Sequence, residues 1–437
     1  MTQRVNPLYH SVSFTFALCW ALLPSLLAAP FILSAAEEEF DDFGGFSDVG
    51  ETESTSSEPW LRGSLSLDLA RQIGAPNRWV RNGVSTQLIL DRETPIGHLY
   101  AEATGLYNAA YRLEKDPQAI IDRYEVDGLL REFYWQKAFA QFSLSVGRKM
   151  LVWGKADLLP VVNMITPQDR SAALFAKPEE TRLGQDLIQL DWYGNGQQLN
   201  AVLIPQPQFN LQVNSGHPYA TLFSDSTDRI KDNDVEYGLR WNQQLPRAEL
   251  ALIAGHFANR DPLFDGFEQT HRASDVLALS YNRAADPFLF KTELAYLPRH
   301  PTQIFSPQEK PQIEEKESYR AMLGVDYVSQ NYGSWITELY AEWPSVNYPG
   351  SSAKTSFGLL AINWSERYWR DDLLLGATVM FFSDLENRVV HLSSRYQYDD
   401  RWSVSGQYSR IDANGDSFLL TPLEGFDRLD FSLSYTF

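Results

Sequence analysis

The chain has 437 residues, a formal net charge of −19 and aromatic side chains at 13% of all positions. So acidic a chain offers no basic face for phosphate, which excludes nucleic acid as a partner, and a mean hydropathy of −0.32 excludes a bundle of membrane helices. The length admits two or three soluble domains or one large barrel, and the abundance of Tyr and Trp suits the interfacial belts of a barrel.

The only long apolar run stands at the front. Arg4 supplies a thin positive region, Val12 to Leu33 an apolar stretch broken at Pro24, and Ser34-Ala35-Ala36 a small-residue cleavage site. Residues 1–36 therefore read as a secretory signal peptide, with an N-terminal anchor helix as the alternative. Cys19 is the sole cysteine, and Leu18 before it is too large for a lipoprotein signal. Cleavage leaves a mature chain without cysteine, which suits an oxidising compartment. Residues 37–59 are a separate piece: Glu37 to Glu58 holds nine acids and no base. Such a composition cannot bury enough apolar surface to offset chain entropy, and it reads as a disordered periplasmic spacer. Phe40, Phe43 and Phe46, three apart, offer a docking motif for a periplasmic partner as the sharper reading.

Residues 60–437 form a succession of strand-length segments. Those of the first half are Leu61–Leu69, Val80–Arg92, Ile96–Ala110, Arg131–Ala138, Phe142–Trp153, Asp186–Tyr193, Leu199–Ile204, Asp234–Trp241 and Glu249–Asn259. The second half gives Asp275–Asn282, Phe288–Leu297, Tyr319–Ser329, Trp335–Trp343, Thr355–Trp364, Asp372–Phe382, Val389–Tyr398, Trp402–Ile411 and a closing strand ending at Phe437. Short turns such as Gly194-Asn195-Gly196 alternate with long links. The expected fold is all-β, a transmembrane antiparallel β-barrel of about 18 strands. Strand faces agree: Val235, Tyr237, Leu239 and Trp241 share an apolar face opposite Glu236, Gly238 and Arg240.

In the last eleven residues, Leu429, Phe431, Leu433, Tyr435 and Phe437 fall on one face and Asp430, Ser432, Ser434 and Thr436 on the other. This terminus resembles the assembly signal of bacterial outer-membrane barrels. The resemblance implies outer-membrane location, contact with membrane lipid and delivery through the barrel-assembly machinery.

Gly147-Arg148-Lys149-Met150-Leu151-Val152-Trp153-Gly154-Lys155 is the most distinctive internal stretch, followed by Asp157, Pro160, Asn163, Pro167, Asp169 and Arg170. Strand alternation slips here, because Phe142, Leu144 and Val146 share a face with Arg148; a bulge at Gly147 would turn that cation inward. The run resembles poorly characterised porin-like barrels, loosely akin to alginate-export and substrate-selective porins. By that resemblance the insert Gly154–Gln185 after the fifth strand folds into the lumen. Arg148, Lys155, Asp157, Asp169 and Arg170 are then its constriction residues, with a structural ion network as the alternative. The insert carries Leu158, Leu159, Val161, Val162, Met164, Ile165, Leu174 and Phe175, which suit an inner wall better than external water.

Strand parity names the pore lining as Glu236, Arg240, Lys291, Glu293, Arg320, Asp326 and Arg395. Adding Asp191, Asp234, Glu338 and Asp430, inward acids outnumber inward bases, which predicts a weak preference for cations. His391 and Ser393, two apart on one strand face, resemble the His-x-Ser arrangement of an outer-membrane phospholipase, but their parity puts His391 in the lumen and no orienting third group is visible. No metal-ligand spacing or nucleotide fingerprint appears, so no cofactor and no enzymatic role are expected. The expected function is passage of small solutes or one specific substrate. A surface adhesive barrel with binding loops at Gln206–Asp232 and Arg299–Ser318 is the alternative, and an outer-membrane lipase the third reading.

Overall fold

A computed structural model describes residues 59–437, apart from 75, 172–174, 176–177, 214–216, 219–234, 265–268, 307–308, 330–332, 344–356, 383–386, 414–419 and 421–422. The signal peptide, the acidic spacer before residue 59, Asp234 and Leu174 lie outside the described residues, as does most of the link Gln206–Asp232.

Apolar and polar residues alternate along segments rich in aromatic and β-branched side chains, and these form strands as the period of two requires. They are β1 (Leu61–Gln72), β2 (Arg78–Thr94), β3 (Gly97–Asn108), β4 (Val126–Phe139), β5 (Phe142–Lys149), β6 (Gln185–Gly194), β7 (Gln197–Ile204), β8 (Glu236–Leu245) and β9 (Ala248–Ala258). A two-residue ladder, β10 (Leu263–Phe264) with β11 (Gln269–Thr270), sits in the following link. Then come β12 (Ala273–Ala285), β13 (Phe288–Ser306), β14 (Glu309–Ser329), β15 (Gly333–Trp343), β16 (Phe357–Tyr368), β17 (Leu373–Phe382), β18 (Arg388–Gln397), β19 (Trp402–Asp412) and β20 (Arg428–Thr436). All except the small ladder join one 18-stranded antiparallel sheet. It closes where β1 pairs β20 from Ser64/Thr436 to Gln72/Arg428, with Gly63 and Phe437 exchanging backbone hydrogen bonds of 2.9 Å. Closure leaves no unpaired sheet edge between first and last strand, as a barrel in lipid requires.

The expected strands are all present. Asn195 and Gly196 both take positive φ (49° and 73°), the two-residue turn that matches strand twist between β6 and β7. Large apolar side chains such as Leu239 (50% exposed), Leu323 (56%) and Phe431 (43%) stand outward. Aromatic pairs border that band: Phe288 with Tyr327 (5.1 Å between ring centroids) towards the short-turn end, and Tyr296, Tyr319 and Trp343 (5.1 and 5.8 Å) towards the other. Phe288 and Tyr296 are eight residues apart on β13, about 20 Å along the barrel axis for a strand tilted near 40°. The chain is a membrane-spanning barrel of the outer-membrane type.

Three features differ from the sequence expectation. β13 and β14 continue about ten residues beyond Tyr296 and Tyr319 as a projecting hairpin, where a loose link was expected. β5 stops at Lys149 instead of Trp153, because the Met150 N–H donates to the Glu132 carboxylate (2.6 Å) and the chain leaves the ladder. No bulge occurs at Gly147: pairing with β4 and β6 runs unbroken through it, and the register shift lies on β4, around Arg131. Gly147 has φ +132°, and a Cβ there would stand 2.3 Å from the Phe133 carbonyl oxygen, so the glycine answers a close backbone approach. Arg148 therefore keeps the outward parity of the ladder, opposite Phe133 and Asp186.

Candidate functional site

After β5 the chain turns into the lumen and closes on itself: the Leu151 N–H donates to the Thr166 hydroxyl (3.1 Å), which donates to the Leu151 carbonyl (2.8 Å). Trp153 meets the wall residue Phe257 edge-on at 6.1 Å. Leu151, Ala156, Val161, Val162 and Ile165 then pack on inward side chains of β6 to β14, among them Leu187, Val202, Ile253, Val276 and Met322. This half of the lumen is a hydrophobic core instead of a water-filled space.

A polypeptide limb that crosses a lumen brings backbone N–H groups that need acceptors. Two wall carboxylates supply them. Glu293 of β13 accepts from the N–H groups of Lys155, Ala156 (2.9 Å), Val161 (2.8 Å) and Val162 (3.1 Å). Glu338 of β15 accepts from Asp157 (2.8 Å), Leu158 (2.9 Å) and Leu159 (2.7 Å). Consecutive N–H groups curved around an anion make a nest, and a hydrogen bond to a charged group contributes about 1.5–3 kcal/mol. A Cβ on Gly154 would lie 2.6 Å from the Glu293 Oε1, so the glycine in Trp153-Gly154-Lys155 admits the carboxylate. Lys291, 4% exposed, bridges Asp157 of the insert to Asp326 (2.6 Å) and stands 3.9 Å from Glu338.

The outer limb is fastened separately. Arg260, in the link after β9, holds Glu236 through both carboxylate oxygens (2.9 and 2.6 Å) and reaches the carbonyls of Met164 (3.0 Å) and Gln208 (3.2 Å). The Arg170 N–H donates to the Leu211 carbonyl at 2.9 Å, and its guanidinium pairs with Asp261. Desolvation by the surrounding chain opposes the charge on the half-exposed Asp261, but Arg170 and hydrogen bonds from Asn210 and Gln212 hold its carboxyl below the usual carboxylate range. Farther along, Phe175 reaches the opposite wall and packs among Val389, Ile411, Leu420 and Leu423. The side-chain amide of Gln407 donates to its carbonyl at 2.9 Å.

A family model described as "Protein of unknown function (DUF1302)" matches residues 77–437. The chain belongs to the DUF1302 family. Curated protein sequences give no match. Among solved structures the chain is similar to Pseudomonas aeruginosa OccK8 (OprE), at 10% identity and a TM-score of 0.51 over 86% of this chain and 98% of that one. It is also similar to Acinetobacter baumannii OccAB2, at 13% identity and a TM-score of 0.51 over 86% and 97%. This DUF1302 protein is thus a porin-like barrel by fold.

The five residues of the expected constriction do not form one ring. Lys155 pairs with Glu249 of β9 (2.8 Å), which also meets Arg240 at 3.4 Å. Asp157 belongs to the Lys291 cluster. Asp169 and Arg170 sit at the mouth, where the Asp169 carboxylate accepts the Ser171 N–H at 2.8 Å. Arg148 grips Asp186 with two hydrogen bonds (2.9 and 3.1 Å) at the rim of the wall, and with Asp169 and Arg170 it is among the residues that line the lumen's cavity. Among the parity-assigned lining, Glu236, Glu293, Lys291 and Asp326 anchor the insert. Arg320 pairs with Glu342 at 3.0 Å, and Arg395 lines open space.

Of the other inward acids, Asp191 accepts from the side-chain amides of Gln189 and Asn200, and Asp430 pairs with Arg428. Sequence reading missed Arg260 and Asp261, since parity assigns no direction to residues in links. It also missed that the wall carboxylates serve backbone donors, for which no side-chain signal exists. His391 faces the lumen and bonds the Ser409 hydroxyl on β19 (2.9 Å).

Beside the insert lies a cavity of about 2270 Å³. Its lining runs from Arg123, Tyr124 and His217 at the long-loop mouth to Arg395 and Ser405, close to the short turns. His391, Ser393, Gln407, Ser432 and Asp68 line it between.

Proposed function

We propose that this protein is an outer-membrane channel for small solutes, in which the insert divides the lumen and sets the narrowest passage. The observation that carries this reading is the cavity spanning most of the barrel's height beside an insert fixed to the wall. A lumen meant only as a structural interior has no need of two carboxylates committed to holding a limb aside from an open lane. The hydrogen bond between His391 and Ser409, inside the lumen, gives no support to a lipase acting on membrane lipid. The Phe437–Gly63 closure agrees with a last strand read by the barrel-assembly machinery, and the acidic segment before the barrel suits a periplasmic partner; both belong to the proposal.

Replacing Asp157–Arg182 with a short Gly-Ser link tests it in planar bilayers. The expected result is a several-fold rise in single-channel conductance for a variant that still shows heat-modifiable migration. Unchanged conductance in the assembled variant places the constriction elsewhere.

A further inference from the structure

The chain enters the barrel at the short-turn end, where the Trp60 carbonyl accepts the Asp91 N–H (3.0 Å) and Leu61 pairs Leu90 near the β2–β3 turn. Residues 37–58, with nine acids and no base, therefore issue at the opening through which the lane empties. On the open side that opening is lined by cations. The ladder sets Arg367 of β16, Leu374 of β17 and Arg395 of β18 side by side, all inward. Both arginines are exposed, and two strand spacings, about 10 Å, separate them. Arg62 of β1 faces inward with the parity of Asp68, three strands farther round. Each stands within two residues of the aromatic belt at this end: Arg62 of Trp60, and Arg367 and Arg395 of Trp369 and Tyr396, whose rings meet edge-on at 6.1 Å. Of the acids on the neighbouring wall, Asp68 accepts the Ser85 and Ser432 hydroxyls and Asp91 pairs with His98 (2.6 Å). Among the described residues, neither Arg62 nor Arg367 has a hydrogen-bond or ion-pair partner. The turns below carry Asp371, Asp372, Asp399 and Asp400 against Arg370 and Arg401, and β2 carries Glu93, so the attraction for an anion is confined to the inner face of β16–β18 and β1.

We infer that residues 37–58 fold back into this opening and occlude the lane, their carboxylates on Arg62, Arg367 and Arg395. Phe40, between Glu39 and Asp41, covers Leu374, which lies between two arginines. The segment is long enough, since its 22 residues span up to about 75 Å when extended. One exposed ion pair holds little, but several on a tethered segment act at high effective concentration. A periplasmic partner that draws the segment away opens the lane. The occlusion rests on the channel reading above; the docking does not.

The chain beginning at residue 37 and one lacking residues 37–58 are compared in planar bilayers, with a synthetic peptide of residues 37–58 as the probe. Deletion should raise the time-averaged current several-fold. The peptide, added at the short-turn side of the truncated barrel, should restore the blockade, and a control peptide with every acid replaced by Asn or Gln should not. Binding of the peptide to the truncated barrel in lipid nanodiscs, empty discs subtracted, should weaken about tenfold in the double variant Arg367→Gln, Arg395→Gln and fade as salt is raised. Leu374→Ser should weaken it in the same direction with no change of charge. Equal currents from the two chains, blockade by the control peptide, or undiminished binding in the arginine variant overturns the inference. Peptide binding that depends on the arginines, in a barrel passing no current with or without the segment, sinks the channel reading and leaves the docking standing.

Discussion

The two halves of the lumen follow opposite rules. Between β6 and β15 the interior is built like the core of a soluble domain, with apolar side chains interlocked and its buried charges paired: Lys291 to Asp157 and Asp326, Arg260 to Glu236, Glu293 and Glu338 to seven backbone N–H groups. From β18 round to β1 the inward side chains are mostly hydroxyls, amides and a few charges, bonded chiefly within the wall, as Ser432 is to Asp68 (2.7 Å) and Ser434 to Ser66 (2.8 Å). The difference shows how a barrel of fixed strand number acquires a narrow passage. One side is filled with a limb whose polar backbone is neutralised by buried anions, and the other is left lined by short side chains.

The comparison breaks most completely if the anions are removed. Glu293→Ala with Glu338→Ala strands seven N–H groups, and at about 1.5–3 kcal/mol for each hydrogen bond to a charge the limb has little reason to stay. Conductance should rise several-fold, towards that of the insert-deleted barrel, and protease should nick the insert while the barrel keeps its heat-modifiable migration. Wild-type conductance in the double variant would mean that the hydrophobic contacts alone hold the limb.

A milder intrusion is Gly154→Ala, which sets a methyl 2.6 Å from the Glu293 carboxylate oxygen. Overpacking of this kind costs about 1–3 kcal/mol, enough to loosen the clamp without releasing it. Mean conductance should stay near wild type while open-channel noise increases. Quiet traces from Gly154→Ala would show that the clamp has slack.

How far this contrast could be read beforehand depends on which physics sets each part. Lipid-facing strands obey a period of two, so Val235 to Trp241 and Leu429 to Phe437 disclosed the wall, and the Asn195-Gly196 turn disclosed its register. The insert was legible as an inward limb because Leu158, Val161, Val162 and Ile165 have no place in external water. Its anchoring was not, because the donors are backbone N–H groups common to all residues, and Glu293 and Glu338 look like any other inward acids. Gly147 misled for a related reason: it answers contact with a neighbouring strand, which alternation along its own strand does not reveal. Arg260 and Asp261 lie in a link, where only the folded chain gives a direction.

Weaker still is the effect expected at the far attachment of the insert. Phe175→Ala removes a ring buried among Val389, Ile411, Leu420 and Leu423, a loss of about 3–5 kcal/mol at a fully packed site. The limb's root on the filled side is untouched, so only its tip is freed into the open side. A conductance change of less than about twofold is expected, and one as large as that of the double glutamate variant would move the principal anchor to the tip.

The smallest expected effect is a dependence on pH at the mouth, where the two halves meet. His217 lies against Tyr124, with ring centroids 5.4 Å apart. Burial lowers its pKa to about 4, helped by the charges of Arg428, Arg78 and Arg81. A histidine free in solution takes its proton near pH 6.5. The docked form resists protonation, so its contribution is complete above about pH 6.5, falls as the pH drops towards 4, and changes no further below that. Asp261, which lines the same cavity, behaves differently. Its depressed carboxyl keeps the pairing with Arg170 until the pH drops below the ordinary carboxylate range, so that link stays closed across the same interval. Asp127, which lines the same mouth, is held above the ordinary carboxylate value by burial, so the histidine's share of any loosening is what His217→Asn isolates. Open-channel noise should grow modestly over this window in the wild type and stay flat in His217→Asn, which cannot take up the proton. Equal growth in both would move the effect to another group.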